Sequence, residues 1–306
     1  ILEENAAELR RARLHGFTSR EIEDARKAMI AGAERSAESE GTLPARAILG
    51  QFNNAVASGE TLTSAAQDLE LVRELVPTIT DEEVSQRFLD LYDDQNMTVF
   101  VTLPESEDAP TESELLSIAE AALSVTPEAE VDEERPTELM AELPTPGKAK
   151  ELARHDGTDV WSAWLDNGVR VHVREMDYRK ESATITITLA GGRILESGAT
   201  RGITDVAALA LSRPATRGLS STNVRDLMTG KKASVFGYAG DDTVRLTVSG
   251  NPSDFEHALQ LAHLLLTEPV IEQAALDQWR ESQKQAIEQR ETSPQAKLQE
   301  LLRETT

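Results

Sequence analysis

Residues 160–174, VWSAWLDNGVRVHVR, mark the point at which the hydrophobic spacing of the chain changes from that of helices to that of strands. Two runs flank Asn167-Gly168, a dipeptide that favours the tight turn between paired antiparallel strands. The valines of the second run would share one face of its strand: Val169, Val171 and Val173. This stretch therefore predicts a β-hairpin.

The sequence downstream of the hairpin contains further strand and helix patterns. ATITITLA (183–190) alternates and ends at Gly191-Gly192, and a second hairpin is predicted around Asp241-Asp242. Helix patterns cover residues 202–211, 221–228 and 251–267 and resume near 271. The order β-β-β-α-α-β-β-α-α predicts an α+β fold, a two-layer α/β sandwich in which an antiparallel-rich sheet carries helices on one face.

Upstream of the hairpin, the chain has the spacing of helices. Residues 1–92 predict several helices, two of which begin with the capping boxes Thr18/Glu21 and Thr80/Glu83. NMTVFVTLP (96–104) predicts one buried strand whose partners lie elsewhere. Residues 1–104 therefore predict a first domain that is mostly helical and incomplete; the resemblance described below implies that it is the C-terminal part of a preceding repeat. Because the sequence begins and ends in helix patterns, we expect it to be a segment of a longer protein.

Residues 105–156 predict a linker between the two folded parts. Between Glu105 and Arg154 there are 14 acids and 4 basic residues, and six of the 12 prolines lie between Pro104 and Pro146. One short helix is predicted inside it, after a capping box at Thr111. The second domain is accordingly predicted over residues 157–306, truncated at its C-terminus.

Composition excludes several classes of site. The net charge of −23 argues against nucleic acid or an anionic membrane as partner. The absence of Cys excludes disulfides, thiolate zinc sites and Cys nucleophiles. No apolar run approaches the roughly 18 residues of a membrane span. The compartment stays open: a bacterial periplasmic or secreted location is compatible with the sequence, as is the cytoplasm.

The histidines and glycines give no recognisable catalytic motif. No two of the five histidines have the i, i+4 spacing that places two ligands on one helix face: His15, His155, His172, His257 and His263. His257 and His263 are six residues apart, on different sides of one predicted helix. Either could be a ligand, and we interpret both as surface or boundary residues. GITDVAALAL (202–211) contains one acid, Asp205, in the first helical turn, where a negative charge is favourable.

Several short sequence motifs, which occur in the same order, make the sequence resemble the insulinase/pitrilysin family of zinc peptidases. In the second part these are LDNGVRV (165–171), LAGGRILES (189–197), GIT (202–204), LLLTEP (264–269) and QRETSP (289–294). In the first part they are HGFTSREIEDARKAM (15–29), PTITDEEV (77–84) and VTLPE (101–105), followed by the linker word ELPTPGK (142–148). The resemblance covers nearly the whole chain.

The resemblance implies repeats of an α/β sandwich that pair into two halves around a chamber. Active members carry H-x-x-E-H on a helix, with two zinc-binding histidines, a Glu as general base and a downstream Glu as third ligand. The matching positions here are Asp205, Ala208 and Leu209, with Ala286 at the third-ligand position. The segment is therefore predicted to bind no metal or other cofactor and to be inactive, and zinc is expected upstream in the parent protein.

Three functional hypotheses follow. The leading one is a non-catalytic portion of a zinc metalloendopeptidase, spanning the end of the first half and the opening of the second. It would help form the chamber, and its partners would be a peptide or unfolded protein substrate and the remaining domains of the same chain. The alternative is a zinc-free scaffold, assembly or peptide-binding subunit of the same fold. The third is an unrelated α+β binding module.

Overall fold

The computed structural model describes residues 2–92, 100, 102, 110–131, 135–294, 298 and 302. The chain divides into two compact units. The first comprises Ile1–Ala37 and Gln51–Arg135, and the second comprises Glu38–Gly50 and Pro136–Thr306. The strand predicted over residues 96–104 lies almost wholly outside the described residues.

Six helices are described before residue 132: α1 Leu2–His15, α2 Ser19–Ser39, α3 Ala45–Ser58, α4 Ala65–Leu75, α5 Asp81–Leu91 and α6 Glu112–Ser124. All three predicted capping boxes are confirmed, since Thr18, Thr80 and Thr111 each bind the backbone N–H three residues ahead. A helix N-terminus leaves N–H groups without intrahelical acceptors, and these side chains satisfy one of them in each case.

Helix α6 belongs to the first unit. It packs against α1, and Ala119 and Ala122 are buried. The segment after α6 is also tied to α1, because Arg11 donates to the Glu128 carbonyl (3.1 Å) and the His15 ring lies 2.9 Å from the Pro127 carbonyl. The first part of the predicted linker is therefore packed structure, attached to α1 by small side chains and carbonyl contacts.

The second unit contains six strands and five complete α-helices within its described residues. The strands are β1 Ala149–His155, β2 Val160–Leu165, β3 Arg170–Val173, β4 Ala183–Ala190, β5 Ala233–Ala239 and β6 Thr243–Gly250. The helices are α7 Ile203–Ala207, α8 Leu209–Ser212, α9 Ser221–Met228, α10 Phe255–Thr267 and α11 Gln273–Thr292. The predicted α+β class is confirmed, and the strands form two antiparallel three-stranded sheets. No helix among the described residues is long and apolar enough to cross a membrane.

The first sheet has the order β1-β2-β3 and contains the predicted hairpin. Gly168 has φ +85°, the left-handed conformation that this turn requires, and Trp164 lies opposite Arg170 across it. Strand β1 corrects the linker prediction, because residues 149–155 pair with β2. Its sequence AKELARH has three charged residues among seven and is exposed throughout, so backbone pairing rather than an apolar face holds it.

The second sheet has the order β4-β6-β5 and carries the core on one face. Leu246 and Val248 of the central strand β6 are 2% and 0% exposed, and they pack with the buried side chains of α10. Helices α7, α8 and α10 cover this face. The opposite face exposes Phe236 and Tyr238 of β5. Period-two alternation along the strands produces this division between a covered and an open face.

Candidate functional site

Three of the degenerate ligand and base positions that the resemblance identifies follow β4, where a loop leads into α7. The loop begins at Gly191-Gly192 and ends at Gly202, which has φ +88° and precedes the first helical residue. Helix α7 stops at Ala207 and α8 begins at Leu209, so Ala208 lies at a junction between two short helices. The positions that match the two zinc-binding histidines, Asp205 and Leu209, therefore lie on different helical segments.

Asp205 is held in an ion-paired cluster. The Arg193 guanidinium donates from Nη2 to Asp205 Oδ1 at 2.6 Å and from Nη1 to Asp241 Oδ1 at 2.9 Å. Both carboxylates raise the pKa of Arg193, with the Asp241 hydrogen bond as the larger cause and the Asp205 hydrogen bond next. Asp205 is about half exposed, at 46%. Arg193, in the loop after β4, thus links Asp205 in the first turn of α7 to Asp241 in the β5–β6 turn.

Glu196, which the sequence analysis did not single out, binds the N-terminus of α7. Its Oε2 accepts from the Gly202 N–H and its Oε1 from the Thr204 N–H, both at 2.9 Å. Hydrogen bonds lower the pKa of Glu196 to about 2. The largest contribution comes from the Thr204 hydroxyl, followed by the Gly202 N–H and then the Thr204 N–H. An acid six to eight residues upstream of a helix has no standard local signature, so only the folded loop reveals this contact.

A Glu196→Gln variant tests this contact through its pH dependence. The pKa of Glu196 is lowered on folding, so its carboxylate stabilises the fold above the unfolded pKa, and this contribution is lost as the pH falls through the folded pKa. We expect the variant to be less stable than the wild type at pH 7, with the difference shrinking between about pH 5 and 2. Urea unfolding at several pH values measures it.

The matched control for this variant is Glu175→Gln, at an exposed acid that follows β3. Its difference from the wild type should stay small and nearly constant over the same range. A pH-independent difference for Glu196→Gln would show that the side chain stabilises the loop through shape rather than through its charge.

The other predicted positions carry no metal-binding atom. Ala208 and Leu209 are half-buried, and Ala286 is a half-buried residue of α11. A catalytic zinc site needs about three protein ligands, so Asp205 with these three apolar side chains does not fit zinc. Within the described ranges, no group of three or more His, Cys, Asp or Glu side chains could hold a metal ion.

The structure places the histidines on several different elements. His257 and His263 are both half-buried on α10, and the Nδ1 atom of His257 has no hydrogen-bond partner within the described part of the chain. The His155 ring lies 2.9 Å from the buried Ser162 hydroxyl in the first sheet. His172, on β3, is exposed and lies opposite Ser162 of β2. No carboxylate joins this group within the described hydrogen bonds, and it forms no catalytic triad there.

Comparison with known proteins shows the fold. No protein-family profile and no curated protein sequence matches the chain. Solved structures do match it. The periplasmic protease PqqL from Escherichia coli has 17% identity and a TM-score of 0.53, over 99% of this chain and 34% of that one. The ferredoxin protease FusC, an E83A mutant in complex with Arabidopsis ferredoxin, has 14% identity and a TM-score of 0.50, over 97% and 33%.

These two likenesses show that the chain shares its fold with parts of these two proteases. This agrees with the fold that the sequence resemblance implied. The chain spans about a third of the length of each solved structure that it matches.

Proposed function

We propose that the chain is a non-catalytic portion of a zinc-dependent metalloendopeptidase of the insulinase/pitrilysin type, and that it helps form the peptide-binding chamber. The observation that carries this proposal is the combination of a protease fold with an Asp205 carboxylate that is already bound by an arginine. At the position where an active repeat keeps its first ligand, the carboxylate is bound by Arg193. The base position, Ala208, ends in a methyl group.

The substitutions at this position remove the chemistry in a consistent way. A general base must accept a proton from water, which an alanine cannot do. Leu209 offers no lone pair to a metal, and α8, which it begins, packs against β5. The residues thus serve the packing of the second unit, while the zinc and its general base belong to another part of the parent protein.

The open face of the second sheet is the surface that we assign to the peptide chamber. Phe236 and Tyr238 are 56% and 49% exposed on β5. The Arg245 guanidinium lies 5.9 Å from the centre of the Tyr238 ring, so a positive charge stands beside that ring. Aromatic side chains contribute a large apolar contact area, and the Tyr hydroxyl adds a hydrogen-bonding group, so this face suits contact with a peptide. The FusC neighbour, solved with a ferredoxin, is a relative in fold that holds a protein.

We expect the chain to retain far less than one zinc per molecule after incubation with excess zinc and gel filtration. The reason is that Asp205 is the only predicted ligand position with an oxygen donor, and Arg193 competes for it. Atomic emission spectroscopy measures the metal content. Asp205→Ala is the matched control, and it should leave the small residual zinc unchanged. Stoichiometric zinc that is lost in Asp205→Ala would contradict the proposal.

The zinc-free scaffold remains the alternative, favoured by the same loss of ligands. The full-length parent separates the two. Cleavage of a quenched fluorescent peptide that stops on addition of a chelator and resumes with zinc supports the peptidase. A parent that folds and binds peptide but never cleaves it, at any zinc concentration, supports the scaffold.

A further inference from the structure

A cleft of about 270 Å³ lies on the second unit between α9, the start of β5 and α10. Its floor is apolar: Val224, Ala233 and Leu261 line it and are all nearly fully buried. Met228, a half-buried and flexible side chain, forms part of its wall. Such a cleft can take an apolar group without burying an unsatisfied polar one.

The rim of the cleft carries the opposite charge to the rest of the chain. Arg225 and Lys231 line it. They belong to residues 213–232, which hold five Lys or Arg and the single acid Asp226, in a chain whose net charge is −23. Of the residues that line the cleft, two are basic and none is acidic, which favours a local positive potential there.

The contacts of the basic side chains show which charge faces outwards. Lys232 is paired with Glu38 at 2.7 Å, within the same unit, so its charge is engaged. The Arg225 side chain is 74% exposed, and its contact with the sequence neighbour Asp226 is long, at 3.7 Å. A long, exposed ion pair of this kind contributes little, so the guanidinium can turn towards a ligand.

We propose that this cleft is a docking site for an acidic peptide segment that inserts one large apolar side chain. Clefts that hold drug-sized ligands or cofactors measure about 300–1,000 Å³, so this one suits a single side chain. The apolar floor would bind the side chain, and the basic rim would select acidic flanking residues and speed their association. The site is separate from the Asp205 position and does not depend on peptide hydrolysis.

The direct test is fluorescence anisotropy with three short labelled peptides and the 306-residue chain. The first has a central Phe flanked by Glu, the second replaces that Phe by Ser, and the third replaces the Glu residues by Lys. We expect the first to bind about tenfold more tightly than either of the others, a difference of about 1.4 kcal/mol. Its affinity should fall as salt is raised, because the rim charges are exposed.

Two variants locate the binding. Arg225→Glu reverses an exposed rim charge and should weaken the first peptide about fivefold. Arg179→Glu, at an exposed arginine between β3 and β4, is the matched control and should leave its affinity unchanged. Circular dichroism checks that both fold. Equal binding of all three peptides, no binding of the first, or equal weakening by both variants would overturn the proposal. The peptide comparison decides it even if a variant misfolds.

Discussion

A Leu246→Ala variant is expected to lose about 2–5 kcal/mol of unfolding free energy. Leu246 lies on the central strand of the second sheet, is 2% exposed and belongs to the core that β6 shares with α10. Across the strands its neighbours are Ile187 of β4 and Gly237 of β5. A Cβ atom at Gly237 would lie 3.0 Å from the Leu246 Cδ1 atom, so the leucine occupies space that the glycine leaves.

The size of this loss follows from that packing. Truncating Leu246 leaves a cavity that Gly237, having no side chain, cannot fill, and the loss of transfer energy then adds to the cavity term. Urea unfolding followed by circular dichroism measures it. Leu195→Ala is the control, because that side chain is 76% exposed, and it should change stability by less than about 0.5 kcal/mol. Similar losses for both variants would show that β6 is not the centre of the core.

The local features of the second unit could be predicted because short-range chemistry decides them. Asn167-Gly168 fixes a hairpin through the positive φ of its glycine, and the structure confirms it. The hairpin around Asp241-Asp242 is confirmed in the same way, with β5 and β6 paired on either side of it. The capping boxes depend on only four residues each, which is why all three predictions agree with the structure.

Strand β1 could not be predicted from its own sequence. Its side chains are all exposed, and Lys150, Glu151 and Arg154 interrupt any apolar alternation. What holds it is the backbone of β2, together with the Arg154 guanidinium over the Trp161 ring at 5.8 Å. Such pairing stabilises the strand but does not require alternating apolar residues, which are the pattern from which strands are predicted.

The candidate site could likewise be predicted only in part. The positions Asp205, Ala208 and Leu209 follow from the resemblance, and the structure places them at the start of α7 and α8. The partners of Asp205 do not follow from it, because Arg193 also reaches Asp241, which lies 48 residues away in the chain. Contacts between a loop and a distant turn depend on the tertiary fold, and no local pattern encodes them.

A Gly192→Ala variant is the second change expected to have a large effect, because it would strain both the loop and the turn beside it. Gly192 has φ +94° and ψ −158°, a region that is essentially restricted to glycine. A Cβ atom there would lie 2.2 Å from the Gly240 carbonyl oxygen, which already accepts a hydrogen bond from the Arg193 N–H at 3.1 Å. The backbone strain alone should cost about 1–3 kcal/mol, and the displaced turn adds to it.

The consequence extends to Asp205, because the residue after Gly192 is Arg193, which binds both Asp205 and Asp241. Moving the turn at Gly240 should therefore separate the two carboxylates and lower the melting temperature in thermal unfolding. Gly198→Ala is the matched control in the same loop, since a Cβ atom at that residue would have no described atom within 4 Å and no positive φ strains it. If Gly192→Ala were as stable as Gly198→Ala, the close approach of the loop to the β5–β6 turn would be wrong, and with it the arginine bridge that occupies Asp205.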